Sequence, residues 1–259
     1  MQQYKLPNGQ TVFHINGSET RFLYKEIFEN RSYLRHGLAL KRGACIFDVG
    51  GNIGLGTLFF HNTCADARLF VFEPSPSSFE VLKANVHAHR IQARLFNCAL
   101  SNVNGTARLT HYSNNTVMSG LHANPDDDRR LSKSFMINSG FNESDADLIL
   151  NDRFASETID CPVRTLSDVM SEERVTRIDL LKVDVEKAEL EVIQGITPED
   201  WSKIDQVIIE VHDICGRLKY LSRLLEGMAF VVTQEQDLSL RGTGLYSIFG
   251  RRAPQRKAF

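Results

Sequence analysis

The segment GACIFDVGGNIG at residues 43–54 holds the pattern that decides the fold, a continuous apolar run that breaks at a glycine-rich turn. Such a run is typical of a central strand in a parallel sheet, buried on both faces. An apolar helical stretch from Ile53 to Phe60 follows. A glycine turn between a strand and a helix lets a ligand approach the backbone at the carboxyl edge of an open α/β sheet. The segment therefore predicts a ligand-binding edge.

The alternation of strand and helix continues outward along the chain. Six further strands are predicted, at 67–73, 93–100, 178–185, 205–212, 229–236 and 245–252. The last two are expected to pair as a hairpin at one edge. Repeated β–α units need crossover connections, so this order predicts an α/β fold with a doubly wound, mostly parallel seven-stranded sheet.

Two regions do not fit the alternation. Residues 1–42 contain one short strand candidate and an amphipathic stretch, which predicts a helical N-terminal cap or lid on a core at 43–259. Residues 113–162 are polar and rich in Asn, Ser and Asp, which is typical of an active-site cover or a substrate-specific insertion. The basic segment 251–259 is interpreted as a solvated tail or a linker.

The composition excludes several classes of protein. Hydrophobic residues make up 42% of the chain and charged residues 24%, an ordinary globular balance. Thirty basic and 32 acidic residues leave a net charge of −2, without a basic field for nucleic acid or an anionic membrane. The sequence has no apolar run of ~20 residues, no secretory pattern and no CxxC spacing among its cysteines. We therefore expect a cytoplasmic protein without nucleic-acid or membrane partners.

The turn DVGGNIG at residues 48–54 distinguishes between nucleotide-binding motifs. A dinucleotide fingerprint would need glycine where Asn52 and Leu55 stand, and a P-loop would need a following Gly-Lys-Ser/Thr. The remaining pattern, acidic-x-G-x-N-x-G, is typical of the S-adenosylmethionine loop of methyltransferases. Its key positions are Asp48, Gly50, Asn52 and Gly54. The acidic side chain can anchor the amino group of the cofactor, and a merely structural tight turn is the alternative.

A second carboxylate supports an adenosine cofactor. Glu73 ends the second predicted core strand, 25 residues after Asp48, and Pro74 follows it. A carboxylate at that place can accept hydrogen bonds from both ribose hydroxyls. An NAD enzyme would offer the same group, and a solvated glutamate at a strand end is the alternative. Ala99 follows the third strand, where an adenine would rest.

In order, these segments resemble the FkbM-type S-adenosylmethionine-dependent methyltransferases. The resemblance covers most of residues 43–250 and is carried by FDVGGNIGLGTLFF, VFEPSPSSFEVLKANV, CALSN, CPVRTLSDVM, LLKVDVEKAELEVIQGI and IIEVHD. The usual pattern has Ala at Gly51 and Phe at Gly56, and the second departure puts the packing of the first helical turn in question. The resemblance implies a Rossmann-like class I fold that uses S-adenosyl-L-methionine and releases S-adenosyl-L-homocysteine.

The N-terminal LPNGQTVFHINGSETRFLYKEIFENRSYLRHGLAL resembles the same part of O-methyltransferase domains embedded in polyketide synthase and hybrid megasynthases. This resemblance implies methylation of a hydroxyl on a phosphopantetheine-tethered acyl chain, with an acyl carrier protein and neighbouring megasynthase domains as partners. Basic side chains at the rim would steer an acidic carrier. The candidates are Arg21, Lys25, Arg31, Arg35, Arg129 and Arg130.

Candidate catalytic residues follow the fourth and fifth core strands. Methyl transfer to a hydroxyl needs alignment of the reactants and removal of the hydroxyl proton. His212 is predicted as the general base because a neutral imidazole operates near physiological pH. Glu186 is the preferred carboxylate partner and Glu210 the weaker one, in line with the His–Glu pair that the resemblance implies. The alternative is that His212 caps the next helix or is exposed at the strand end.

Two further residues are assigned to the cofactor site, Asp184 at the end of strand four and Tyr33 in the cap, where a packed aromatic is the alternative. A Mg²⁺ ion could instead be held by Asp184, Glu186, His212 and Asp213. The spacing of these residues does not require a metal, so none is predicted. Two other functions stay open. One is a stand-alone methyltransferase of a sugar or small-molecule hydroxyl, and the other is a non-catalytic scaffold.

Overall fold

Twelve strands and nine α-helices occur in residues 1–253, the part of the chain that this computed structural model describes. The strands are β1 (Gln2–Lys5), β2 (Thr11–His14), β3 (Cys45–Val49), β4 (Arg68–Phe72), β5 (Ala93–Phe96), β6 (Ala99–Leu100), β7 (Gly105–Tyr112), β8 (Ser156–Arg164), β9 (Leu180–Val183), β10 (Gln206–His212), β11 (Phe230–Glu235) and β12 (Leu245–Arg252). The helices are α1 (Gly17–Tyr24), α2 (Leu55–Thr63), α3 (Pro76–Ala88), α4 (Pro125–Asn138), α5 (Glu143–Leu150), α6 (Leu166–Glu172), α7 (Glu189–Gln194), α8 (Pro198–Trp201) and α9 (Arg217–Gly227).

The central sheet has seven strands in the order β11-β12-β10-β9-β3-β4-β5. The five strands from β10 to β5 are parallel, whereas β12 pairs antiparallel with both β10 and β11. The predicted doubly wound sheet and its terminal hairpin are therefore confirmed. From β3 the chain winds outward to β4 and β5 and later returns to β9 on the other side. The carboxyl ends of β3 and β9 consequently form the switch point, where ligands bind in open α/β sheets.

The apolar runs of the sequence explain why this sheet is covered on both faces. All residues of β3 are buried, and successive side chains enter different cores. Phe47 packs in one hydrophobic cluster with Leu181 of β9, whereas Ile46 packs in the other with Leu180. Burial on both faces holds the ends of β3 and β9 in fixed register, and this fixes the geometry of the switch point.

The predicted strand at 93–100 is two strands in different sheets, so this prediction was wrong. β5 belongs to the central sheet, whereas β6 pairs with β8 in a separate three-stranded sheet of order β6-β8-β7. The chain turns between them at Asn97, whose side-chain amide donates to the carbonyl oxygens of Glu73 (2.8 Å) and Pro74 (3.1 Å). These bonds come from a segment distant in sequence, which a local pattern does not reveal.

The cap and the insertion both lie beside the switch point. Residues 1–42 contain the β1–β2 hairpin, α1 and a π-helical turn at Lys25–Glu29. Residues 113–162 contain a 3₁₀ turn at Thr116–Met118, then α4 and α5, and they run into β8. The boundaries of these units, and motion of the cap as a lid, stay predictions.

None of the helices in residues 1–253 has the length and apolar character that crossing a bilayer requires. Of the expected basic tail, Arg251 and Arg252 instead belong to β12, and residues 254–259 lie outside the described residues.

Candidate functional site

A cavity with a volume of about 830 Å³ opens at the carboxyl ends of β3 and β9. Its wall includes the glycine turn, the end of β4, the cap, the insertion and the start of β12. Of the residues assigned to the site from sequence, the structure brings nine to this wall. They are Tyr33, Gly50, Asn52, Glu73, Pro74, Ala99, Asp184, Glu186 and the weaker candidate Glu210.

The glycine turn is shaped by the close approach of two strand ends. Gly50 and Gly54 have φ angles of +82° and +88°, in the left-handed region that favours glycine. A Cβ atom on Gly50 would overlap the carbonyl oxygen of Asp184, and one on Gly54 would approach Leu82. Packing and backbone conformation therefore require glycine at positions 50 and 54, independently of any ligand. Of the turn, Gly50, Gly51 and Asn52 line the cavity, whereas Gly54, also assigned to the cofactor site from sequence, does not.

Glu73 fits the predicted ribose contact. Its Oε2 accepts the backbone N–H of Asn52 and its Oε1 that of Ser75, both at 2.8 Å. Each carboxylate oxygen keeps a free lone pair, which suits two neighbouring hydroxyl donors. Burial raises the pKa of Glu73 to about 7, against the lowering effect of the two N–H donors. Donors from a bound ligand would favour the ionised form further.

Asp48 does not reach the cavity, contrary to the expected contact with an amino group. The side chain is fully buried, and its Oδ2 accepts a hydrogen bond from Thr57 (2.7 Å). Its Oδ1 lies 3.1 Å from Nζ of Lys182. Asp48 pairs with Lys182 in the register of β3 and β9, which places the ammonium beside it. The carboxylate that faces the cavity at this place is Asp184.

Lys182 was missed from the sequence, although a lysine within a buried strand is an unusual signal. Its Nζ donates to the carbonyl oxygen of Gly50 (2.6 Å) and lies 3.5 Å from Asp184. Burial opposes its charge, but Asp48 and Asp184 together raise the pKa of Lys182 above its ordinary value. Lys182 therefore holds the glycine turn and two carboxylates together as a buried cation.

Tyr33 of the cap lies over Lys182 and Asp184. Its hydroxyl donates to Oδ2 of Asp184 (3.3 Å), and its ring lies over the Lys182 ammonium at 5.4 Å. A Cβ atom on Gly56 would already lie 3.2 Å from the Tyr33 ring. Glycine at position 56, where Phe is expected from the sequence resemblance, therefore leaves room for Tyr33. The Tyr33 ring packs against the first turn of α2 in the place of that Phe side chain.

His212 is buried, and it contacts two carboxylates. Its Nδ1 lies 2.7 Å from Oε1 of Glu189, and its Nε2 lies 3.3 Å from Oε2 of Glu186 without hydrogen-bond geometry. Burial alone would lower the pKa of His212, but the two carboxylates raise it to about 11. The two carboxylates therefore favour the imidazolium form, in contrast to the neutral imidazole expected from the sequence, and the role of His212 as general base stays a prediction. His212 lines a second cavity of about 530 Å³, not the large one.

Glu189 was also missed, because only the folded chain brings it to His212. It is fully buried at the start of α7 and accepts the N–H of Lys187 (2.9 Å) and a hydrogen bond from Arg217 (2.6 Å). Burial favours the neutral acid, but His212 and Arg217 lower the pKa of Glu189 below its ordinary value. Glu189 thus fixes both the orientation and the charge of His212.

Of the predicted pair His212 and Glu186, only Glu186 faces the large cavity. It and Lys187 have φ angles of +51° and +71°, a double left-handed turn after β9. This turn sends the Lys187 side chain to buried Asp128 of α4, while Glu186 lines the cavity.

Three carboxylates meet at this end of the cavity. Oxygens of Asp184, Glu186 and Glu210 lie within 4.8 Å of one another. Burial and these neighbouring charges raise the pKa of both Glu186 and Glu210. Asp213 accepts the N–H of Leu218 near the start of α9 and stands apart from this group.

Apolar side chains of the cap and of α4 line part of the cavity, and three of the six basic candidates form ion pairs. Phe22 of the cap packs edge-to-face on Phe135 of α4, with ring centroids 5.4 Å apart. Ion pairs join Arg35 to Glu235, Arg129 to Asp147 and Arg130 to Asp127. These pairs weaken the long-range field expected for carrier docking.

The sheet order and the glycine turn after β3 define a Rossmann-like α/β fold of the kind found in class I methyltransferases. The family model described as "Methyltransferase FkbM domain" matches residues 48–229. The chain belongs to this FkbM methyltransferase family.

Relatives extend the match to nearly the whole chain. "31-O-demethyl-FK506 methyltransferase FkbM" of Streptomyces tacrolimicus is 41% identical over 253 residues, 97% of each chain. "AMB antimetabolite synthetase AmbE" of Pseudomonas aeruginosa is 34% identical over 95% of this chain, which corresponds to 12% of that much longer protein. The crystal structure of a methyltransferase FkbM from Methylobacillus flagellatus superposes with a TM-score of 0.55 at 12% identity, over 84% of this chain and 46% of that one, and shows the shared fold.

Proposed function

We propose that this methyltransferase is an S-adenosyl-L-methionine-dependent O-methyltransferase that acts on a hydroxyl of a natural-product intermediate. The observation that carries the proposal is that one cavity is lined at once by Glu73, Asp184 and Glu186. O-Methylation is supported by the Streptomyces relative, whose name describes a 31-O-demethyl substrate.

The cavity offers a partner for each polar part of the cofactor. Glu73 would hold the ribose hydroxyls through its free lone pairs, with Pro74 and Ala99 beside the adenine. Asp184 would hold the ammonium group, and Tyr33 would cover it. The bound cofactor supplies an electrophilic methyl group on a sulfonium.

The proton of the acceptor hydroxyl would go to a carboxylate oxygen of Glu186, because this residue lines the large cavity and His212 does not. Burial raises the pKa of Glu186, and the His212 ring, 3.3 Å away, would lower it and so favour the ionised form. His212 is thus proposed as the charge that sets the basicity of Glu186.

We further propose that the acceptor is a β-hydroxyacyl or enol intermediate tethered to an acyl carrier protein within a megasynthase. The apolar side chains of the cap and of α4 would accommodate an acyl chain, and the AmbE match lies within a much longer synthetase. The second candidate is a free natural product, favoured by the Streptomyces relative, which matches the chain end to end. A sugar fits the apolar part of the wall less well, and a scaffold would not need this set of polar groups.

The proposal is tested by incubating the protein with S-adenosyl-L-methionine and matched acceptors. The same hydroxyacyl group is offered on a carrier protein, on a small thioester and as a free alcohol, and the mass gain of one CH₂ is followed. Glu186→Gln should lower the rate by about 10²–10⁴ with cofactor affinity retained, whereas the exposed control Glu226→Gln should be unchanged. Failure to methylate any hydroxyl would contradict the reaction. Equal rates on the three acceptors would contradict carrier recognition.

A further inference from the structure

We propose that Glu19 of the N-terminal cap is a cofactor-binding residue, whose free carboxylate oxygen accepts a hydrogen bond from the bound cofactor. Its other oxygen joins the cap to the insertion over the cavity. This inference rests on the proposed use of S-adenosyl-L-methionine, and it adds a residue that the sequence patterns did not single out.

The first turn of α1 fixes the position of Glu19. Asn16 caps this helix, and its side-chain oxygen accepts the N–H groups of Ser18 (2.9 Å) and Glu19 (3.3 Å). The capped turn directs the Glu19 side chain inward, where it is 6% exposed and forms part of the cavity wall. A buried carboxylate on an otherwise amphipathic surface helix needs partners that offset its lost hydration.

One oxygen of Glu19 has such partners. Oε2 accepts the backbone N–H of Thr116 at 3.1 Å and its hydroxyl at 2.8 Å. The Thr116 hydroxyl in turn accepts the side-chain amide of Asn52 at 3.3 Å. Because the N–H of Asn52 donates to Glu73, a continuous path links the cap, the insertion, the glycine turn and the ribose carboxylate.

The other oxygen makes no hydrogen bond of good geometry within residues 1–253, although the backbone N–H of Val117 also acts on this carboxylate and lowers its pKa. Oε1 of Glu19 is buried and unpaired, and the side-chain oxygen of Asn52 is in the same condition. Both residues line the cavity. Two residues that line one cavity and each keep a buried, unpaired acceptor favour a ligand rich in donors, because an unsatisfied buried acceptor is costly. S-Adenosyl-L-methionine carries ribose hydroxyls, an adenine amino group and an ammonium group.

The charge of Glu19 is suited to this role. Burial raises the pKa of Glu19 to about 6, in spite of the Thr116 donors, the Arg153 cation and the backbone N–H of Val117, which lower it. Glu19 is therefore mostly ionised at neutral pH, and a ligand donor would stabilise that form further. By pairing Oε1, the bound cofactor would strengthen the contact between the cap and the insertion.

The experiment compares Glu19→Gln with Glu29→Gln, the same change on an exposed glutamate of the cap. Affinity for S-adenosylhomocysteine is measured by calorimetry, and folding is checked by thermal unfolding. We expect Glu19→Gln to bind about ten- to a hundredfold more weakly, because the amide places a donor where an acceptor is needed, and Glu29→Gln to match the wild type. In turnover, KM for the cofactor should rise while kcat changes little.

Two further arms separate the explanations. 5′-Methylthioadenosine lacks the ammonium group, so an equal loss of affinity for it assigns the contact to the nucleoside, and no loss assigns it to the ammonium group. Thr116→Val weakens the link and leaves Oε1 in place, so it should cost less affinity than Glu19→Gln. If both variants lost the same affinity for S-adenosylhomocysteine, Glu19 would act only by positioning Thr116. That result would overturn a direct contact between Glu19 and the cofactor.

The failures of the two proposals are distinguishable. Wild-type binding with unchanged affinity in Glu19→Gln would overturn this inference and leave the proposed function intact. A wild type that does not bind S-adenosylhomocysteine would overturn the cofactor assignment, and the role of Glu19 would fall with it.

Discussion

The buried charge cluster around Glu189 makes the sharpest stability prediction. Glu189→Gln keeps the size of the side chain but removes the negative charge beside His212 (2.7 Å) and Arg217 (2.6 Å). Breaking a buried ion pair costs about 3–5 kcal/mol, and a hydrogen bond to a charged group contributes about 1.5–3 kcal/mol. Glu186 stays near His212 and compensates in part. We therefore expect the free energy of unfolding to fall by about 2–4 kcal/mol near pH 6.

This loss should depend on pH in a defined direction. The folded-state pKa of His212 is raised from an ordinary 6.5 to about 11, so its contribution is fully present below 6.5 and is lost as the pH rises toward 11. The pKa of Glu189 is lowered from 4.5, so its contribution is present above 4.5 and is lost as the pH falls. The penalty of Glu189→Gln should therefore be largest between pH 4.5 and 6.5 and shrink above that window.

Urea unfolding across this pH range measures the effect. The matched control is Glu191→Gln on the same helix, because Glu191 pairs with a half-exposed His122 at 2.9 Å, and such a pair should contribute less than about 1 kcal/mol. Equal penalties in the two variants, or a penalty that grows from pH 6.5 upward, would refute the account of a buried imidazolium.

Three further predictions concern the cavity wall. Asp48→Asn should lower the free energy of unfolding by about 2–4 kcal/mol in urea titration, because Lys182 loses its nearest carboxylate, yet it should weaken cofactor affinity less than Asp184→Asn does. Gly56→Phe, which restores the family residue, should displace Tyr33 and cost about 1–3 kcal/mol; an unchanged melting temperature would contradict the packing argument. A chelator should leave methyl transfer unchanged, whereas loss of activity that Mg²⁺ restores would assign the three carboxylates near Glu186 to a cation.

The sheet could be predicted from the sequence because its strands are short apolar runs with glycine, proline and polar residues at their ends. The break at Asn97 could not, because its hydrogen bonds reach Glu73 and Pro74 from a distant part of the chain. A strand boundary set by long-range contacts leaves no periodic signal.

For the site residues too, positions set by the order of elements could be predicted, whereas contacts made between distant parts of the chain could not. The position of Glu73 and Asp184 beside the cavity could be predicted, because the carboxyl edge of a parallel sheet is implied by the order of elements, whereas their role in cofactor binding stays a prediction. The contact that favours the charged form of His212 could not be predicted, because Glu189, its nearest carboxylate, approaches it only in the folded chain. Asp48 was misplaced because the register of β3 against β9 puts Lys182 beside it.

Binding of S-adenosylhomocysteine to Glu73→Gln is the most direct test of the central claim, that this cavity holds an adenosine cofactor through the carboxylate after β4. Isothermal titration should show wild-type binding and an affinity about ten- to a hundredfold weaker in Glu73→Gln, because the amide replaces one of two acceptors that face the ribose. The exposed change Glu80→Gln, on α3, should bind as the wild type does. Equal affinity in Glu73→Gln and the wild type would contradict the claim.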